Sequence, residues 1–254
     1  MKSGFKRGWQ QLLRVGSIIV LAITIQACAS TSGKSAPYDP WEGFNRSMYT
    51  FNDAFDDYLL KPVAKGYEFI TPTFVRKGVS NFFSNLFEPT NIINDLFQGK
   101  LGDAASDTGR LLINSSIGIA GLFDVATPIG LEKHDEDFGQ TLGAWGIPDG
   151  NYLVLPFIGP RGVRDGFGWV VDLAPSPHTH LDPLSVAWGS YILDLVDTRA
   201  RMLGTKDVLD QAAKDDVYIF VREAYRQRRR NLVYDGNPPV EDGAAEDELL
   251  FGDE

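Results

Sequence analysis

Trp41, Phe44, Met48, Phe51, Phe55 and Tyr58 recur at alternating steps of three and four, the spacing of one helical face. Asn45, Arg46, Asn52, Asp53 and Asp56 fall between them. Asp39-Pro40-Trp41-Glu42 supplies a start, with Asp39 as N-cap, Pro40 at the first helical position and Glu42 closing a capping box. Pro62 ends this helix, and its aromatic stripe reads as a core face. A second helix is predicted from Thr71-Pro72 to Phe87, with Val75, Val79, Phe82, Phe83 and Leu86 apolar and Pro89 as its stop. Thr90 to Phe97 predicts a short helix closed by Gly99, and Leu101 to Ile113 another. Asp182-Pro183 opens a helix carrying Leu184, Trp188, Tyr191, Leu195 and Met202, closed by Gly204. A last one runs from about Asp215 to Arg230, with Val217, Phe220, Val221, Ala224 and Tyr225 apolar. The dominant period is helical, so the fold class is all-α.

Two segments break the amphipathic pattern. Ile117 to Val125 and Tyr152 to Ile158 are apolar all round, which places them against protein or against lipid. Each is too short to span a bilayer, which takes roughly 20 residues. Propensity alone makes Tyr152–Ile158 a strand, but Pro156 argues against a central one. Between them, Gly139-Gln140-Thr141-Leu142-Gly143-Ala144-Trp145-Gly146 is too rich in glycine to be a stable regular element by itself.

The N-terminus reads as an address. Lys2, Lys6, Arg7 and Arg14 precede an apolar run from Val15 to Ile25, and small residues surround Cys28, the only cysteine. Ile25-Gln26-Ala27-Cys28 resembles the lipobox of a bacterial lipoprotein signal; the competing reading is an ordinary secretory signal beside a chance cysteine. On the first reading residues 1–27 are removed and Cys28 carries the lipid. Residues 28–38 then form a tether, 39–235 the folded domain and 236–254 an acidic, disordered tail. Ala29 and Ser30 are not acidic, which resembles sorting to the outer membrane. A cysteine spent on lipid leaves none for a disulfide.

The formal net charge of −10 over 254 residues sits largely in the tail, where Glu241 to Glu254 hold seven acids and no base. A nucleic-acid partner is not expected at this net charge, since phosphate binding needs clustered positive charge. His178-Thr179-His180 with Asp182 reads as a polar surface loop rather than a metal site, and His134 stands in a solvated acidic stretch. No Gly-x-Ser-x-Gly elbow, Walker motif or dinucleotide fingerprint occurs, so the chain is not expected to be an enzyme. Arg222, Arg226, Arg228, Arg229 and Arg230 close the last helix, where they complement its dipole or meet lipid phosphates or an acidic partner.

Asp39-Pro40-Trp41-Glu42-Gly43-Phe44-Asn45-Arg46, followed by Met48-Tyr49 and Phe51-Asn52, resembles the opening of the MlaA (VacJ) outer-membrane lipoproteins. Arg76-Lys77-Gly78-Val79-Ser80-Asn81-Phe82, Glu88-Pro89, Phe138-Gly139-Gln140-Thr141-Leu142-Gly143, Leu155-Pro156-Phe157, Arg222-Glu223-Ala224-Tyr225 and Gln227-Arg228 continue the resemblance in order. It implies a ring of short amphipathic helices in the inner leaflet of the outer membrane, with a central polar channel and no cofactor or metal. Phospholipids misplaced in the outer leaflet would pass through that channel to a soluble periplasmic carrier, MlaC, while trimeric porins hold the ring. A polar path spares a charged headgroup the cost of entering hydrocarbon.

On this resemblance Asn45, Arg46 and Asn52 are the channel or lipid-contact candidates. Ile117, Ile119, Leu122, Phe123, Leu153, Val154, Leu155 and Phe157 are expected to face the membrane. Gly139, Gly143 and Gly146 would either let a hairpin gate the channel or allow tight packing. The alternative function is an adaptor lipoprotein that docks a periplasmic partner.

Overall fold

The computed structural model describes residues 36–205 and 216–239. The signal, Cys28 and the tail beyond residue 239 lie outside the described residues. Helix α1 (Glu42–Phe55) starts without a side-chain cap, Trp41 standing at the N-cap position. Asp39, predicted to cap it, is instead completely buried, and its carboxylate accepts from distant residues. Pro62 does not end the helix. A π-turn over Asp56–Leu60, in which the Lys61 N–H reaches the Asp56 carbonyl five residues back, leads directly into α2 (Lys61–Ile70). The wider turn absorbs the proline, which falls in the first turn of α2, where a missing N–H costs least.

The two helices predicted around Pro89 are one, α3 (Thr73–Gln98). Glu88, Asn91, Asn94 and Asp95 on either side of the proline are buried, and their tertiary contacts override its local cost. Gly99 closes α3 in the left-handed conformation, as predicted. α4 (Leu101–Ser116) packs along α3. Residues 117–123 follow as consecutive turns, with Ile119, Ala120 and Gly121 all at positive φ.

Phe138–Ala144 forms a helix, α5, although its glycines argued against one; the Asp137 carboxylate accepts from Gln140 N at 2.8 Å and caps it. The all-α reading gains one hairpin. β1 (Tyr152–Leu155) pairs antiparallel with β2 (Gly159–Gly162), in the register Tyr152 to Gly162 and Val154 to Pro160. Pro156 lies just past β1, which removes the objection to a strand. α6 (Val163–Asp172), α7 (Leu184–Arg201) and α8 (Val217–Val233) complete the described chain.

The contacts run in a circuit. α1 lies on β1, α2 on α7, α7 on α3, α3 on α5, α5 on α8, and α8 on β2, which pairs back to β1. No helix among the described residues is long and apolar enough to cross a membrane.

Burial is inverted relative to an ordinary globular domain. Buried polar and charged residues outnumber buried hydrophobic ones, and a small apolar cluster of Tyr152, Val154 and Tyr218, flanked by Met48, Tyr49 and Tyr225, is the packed core near the hairpin. The aromatic stripe is only partly a core face: Met48 flanks the core and Phe44 and Phe55 are half-buried, but Trp41, Phe51 and Tyr58 are exposed, Tyr58 at 86%. Phe69, at 91%, and Phe74 extend this exposed apolar surface.

Candidate functional site

Glu88, Asn91, Asn94 and Asp95 share one face of α3, and Asp107, Arg110 and Asn114 share the facing side of α4. Arg110 Nε donates to Glu88 Oε1 at 2.9 Å, and its Nη1 reaches Thr127 Oγ1 at 2.9 Å and the Leu131 carbonyl at 2.6 Å. Asn91 Nδ2 donates to Glu88 Oε2 at 2.8 Å. Burial pushes the Glu88 carboxyl up, against the Arg110 bond that lowers it. Asp95 has no hydrogen-bond partner on either carboxylate oxygen. Burial, followed by the charges of Asp107 and Glu136, pushes it up to about 7.

A second network joins α5, α6 and α8. Arg229 is buried and donates to both Asp137 oxygens at 2.5 and 2.8 Å, and to Asp165 Oδ1 at 3.0 Å. Tyr225 OH donates to Asp165 Oδ2 at 2.6 Å. α5 and α6 touch backbone to backbone: a Cβ added at Gly168 would lie 2.3 Å from Gly139 N. Gly139 and Gly143 have no room either, against Asp165, Arg229 and Val233. Gly139 and Gly143 thus serve close packing, whereas Gly146 has open space around it and stands at a φ of 85°. Two of the five C-terminal arginines, Arg222 and Arg229, are buried and ion-paired rather than spread over a surface.

Asn45 and Asn52 face the hairpin, while Arg46 turns to the start of α8. Asn45 is completely buried, donating to the Tyr152 carbonyl at 3.0 Å and accepting from Val154 N at 2.9 Å. Asn52 repeats this one strand-length on, with the Leu155 carbonyl at 2.9 Å and Phe157 N at 2.7 Å. Arg46 bridges Glu42 at 2.8 Å and Asp216 at 2.7 Å, tying α1 to the start of α8.

The membrane-facing candidates divide. Ile117 (69% exposed), Ile119, Leu122, Phe123 and Phe157 present open apolar surface. Leu153 and Leu155 are half-buried. Val154 is fully buried in the core cluster, so the lipid-facing expectation fails there: alternation along β1 turns it inward.

Three polar cavities adjoin these networks. One of about 480 Å3 is lined by α3, α4, the 124–135 loop and α7. Glu88, Asp124, Asp135 and Asp194 meet Arg110, Lys133 and Arg201 around it. A second, of about 340 Å3, shares Asn91 and Asp135 with it and continues toward Asp137, Asp165 and Arg229. A third, of about 540 Å3, lies between α5 and α8 beside Arg226 and Arg230. An apolar groove of about 530 Å3 runs between α3 and α7, lined by Val79, Phe82, Phe83, Leu122, Val186 and Leu193. His178 is not in a solvated loop: its ring packs on Phe83, Phe87 and Tyr191, with ring centroids 5.8, 5.1 and 5.8 Å away. Among the described residues no group of acidic, histidine or cysteine side chains could hold a metal ion.

Sequence reading missed Glu88, Asn91, Arg110 and Asn114. Their signal lies in the polar faces of α3 and α4, and Glu88 also stands in the Glu88-Pro89 block of the resemblance.

A helical protein with charged networks inside and large aromatic side chains outside belongs to the class whose surface is built to meet a protein partner or a membrane. The chain belongs to the MlaA lipoprotein family, whose pattern matches residues 37–232. It is 36% identical over 230 residues to the intermembrane phospholipid transport system lipoprotein MlaA of Shigella flexneri, covering 88% of this chain and 90% of that one. The protein of the same description from Escherichia coli K12 is 36% identical over 233 residues, with the same coverage. A solved structure, reported as the structural basis for maintenance of bacterial outer membrane lipid asymmetry, superposes with a TM-score of 0.68 at 35% identity. It covers 77% of this chain and 98% of that one.

Proposed function

We propose that this chain is an outer-membrane lipoprotein that removes phospholipids misplaced in the outer leaflet and passes them through a polar channel to a periplasmic carrier. The observation that carries the reading is the inverted burial. Exposed Phe69, Phe74, Ile117, Ile119 and Phe123 seat the circuit of helices in one leaflet, while the interior cavities offer a headgroup charges and hydrogen bonds. Cys28, lipidated after removal of residues 1–27, delivers the domain to the membrane, and it stays on the periplasmic side. An MlaC-like carrier and a trimeric porin are its partners, phospholipid is its cargo, and no bond of the lipid is cleaved. The domain proper is residues 39–235, followed by the acidic tail.

The test is outer-leaflet phospholipid content in cells lacking the protein. Accumulation, reversed by the intact chain, is expected. No accumulation would leave the adaptor reading, in which the chain only docks a periplasmic partner. Lysophospholipid or fatty acid released by the purified protein would make it an enzyme instead.

A further inference from the structure

Phe83 lines two compartments at once. On one side is the apolar groove between α3 and α7; on the other is the 480 Å3 polar cavity. The two lie on opposite sides of the same helix seam. From α3, Val79 and Phe82 face the groove while Ser80, Asn81 and Ser84 face the cavity. From α7, Leu193 faces the groove and Asp194 the cavity. His178 completes the partition. Its ring packs at a tilt against Phe83, its Nδ1 lies 2.8 Å from Ser190 Oγ on the groove side, and its Nε2 is 3.7 Å from Asp194 Oδ2 on the cavity side.

We propose that the α3–α7 seam is a lateral phospholipid site, in which an acyl chain lies in the groove while its phosphate headgroup occupies the polar cavity beyond Phe83. The inference rests on the lipid-transport reading and adds to it where a lipid sits and which residues divide tail from head. Adjacency decides the occupant. An apolar groove alone fits many partners, but one sharing a wall with a cavity lined by charges of both signs, Arg110, Lys133 and Arg201 beside Glu88, Asp124, Asp135 and Asp194, fits a molecule that is apolar at one end and carries a charged headgroup at the other. The tail gains by leaving polar surroundings, and the headgroup gains by avoiding hydrocarbon.

Gly189 makes the proposal testable, because it lines the groove and a Cβ there meets nothing within 4 Å. A Cβ at this point enters the groove without a clash, and replacing glycine inside α7 favours the helix. A photoreactive amino acid is placed at Ser84 in the full chain, which is reconstituted with vesicles of phosphatidylethanolamine and phosphatidylglycerol carrying radiolabelled phosphate. Light should attach labelled lipid at Ser84. Gly189→Phe and Gly189→Leu should lower that capture about tenfold, the effect of displacing about two buried methylenes. Gly66→Phe, at an equally open glycine in α2, should leave it unchanged. Capture that persists in both Gly189 variants, with unaltered melting, overturns the lateral site while leaving lipid transport standing. No capture at Ser84 in the parent chain overturns the lateral site together with the phospholipid-filled cavity on which it rests.

Discussion

Asp39 and Arg222, 183 residues apart in the sequence, meet in a buried ion pair at 2.9 Å. The Asp39 carboxylate also accepts from Tyr218 OH at 2.6 Å and from Asn45 Nδ2 at 2.7 Å. The first and last described elements are thereby fastened to each other, which closes the circuit of helices. Removing one partner of such a pair leaves a buried charge without compensation, at a cost of about 3–5 kcal/mol. Arg222→Ala is therefore expected to lower the free energy of unfolding in detergent by that amount. Arg222→Leu combined with Asp39→Asn should cost clearly less than the two single changes added together. Strict additivity would show that the pair is not coupled.

Asn45 and Asn52 treat β1 as a further strand would. Each amide offers a donor and an acceptor, and each spans two backbone groups of the hairpin edge, so a helix face replaces a missing ladder partner. Truncating either leaves backbone groups unpaired, at about 1–3 kcal/mol for a buried one. Asn45→Ala should speed amide exchange at Val154, and Asn52→Ala at Phe157, as read by hydrogen–deuterium exchange. Exchange rising equally at both sites in each variant would mean that the two clamps do not act separately.

Much of the helical framework was legible from spacing alone: α1, α4, α7 and α8 lie where the three-four periodicity puts them, and α3 joins two helices predicted apart. What was not legible is which face turns inward. Of the aromatic stripe Met48 reaches the core, yet Trp41, Phe51 and Tyr58 are exposed, while the polar Asn45 is completely buried. Periodicity reports that a helix has two faces, whereas the surrounding solvent decides their orientation. Pro62 and Pro89 were misread for a related reason. Each breaks a helix locally, but a π-turn at Asp56–Leu60 and the buried contacts of Glu88 and Asn91 carry the chain through. The cavity residues Arg110 and Asn114 could be found only once α3 and α4 were known to face each other.

Asp95 gives the fold a pH dependence. It is fully buried on α3, and its surroundings are the charges of Asp103 and Asp107 on α4 and of His134 and Glu136 in the following loop. Its pKa of about 7 lies above the ordinary carboxylate value. Between about pH 4 and pH 7 the folded chain holds a proton that the unfolded chain has lost, so this residue's contribution to stability falls as pH rises through that window. Asp95→Asn removes the titration and keeps the shape. Its melting temperature relative to the parent should therefore improve between pH 5 and pH 8. A difference that stays constant across that range would place the ionisation elsewhere.

The apolar turns after α4 separate surface from core. Ile119 and Phe123 are exposed with no core to join, whereas Val154, equally apolar, is fully buried beside Tyr152 and Tyr218. A charge at an exposed position changes folding by no more than about 0.5 kcal/mol. The same charge held at the centre of a bilayer costs about 2.5–3.5 kcal/mol. Ile119→Asp and Phe123→Asp should therefore melt like the parent in detergent but bind vesicles more weakly in flotation, with the double variant weaker than either alone. Val154→Asp should fail in the melting experiment first, because it buries an unpaired carboxylate. Unchanged flotation of the double variant would show that the 117–123 turns point into water, and the membrane contact would have to be sought at Phe69 and Phe74.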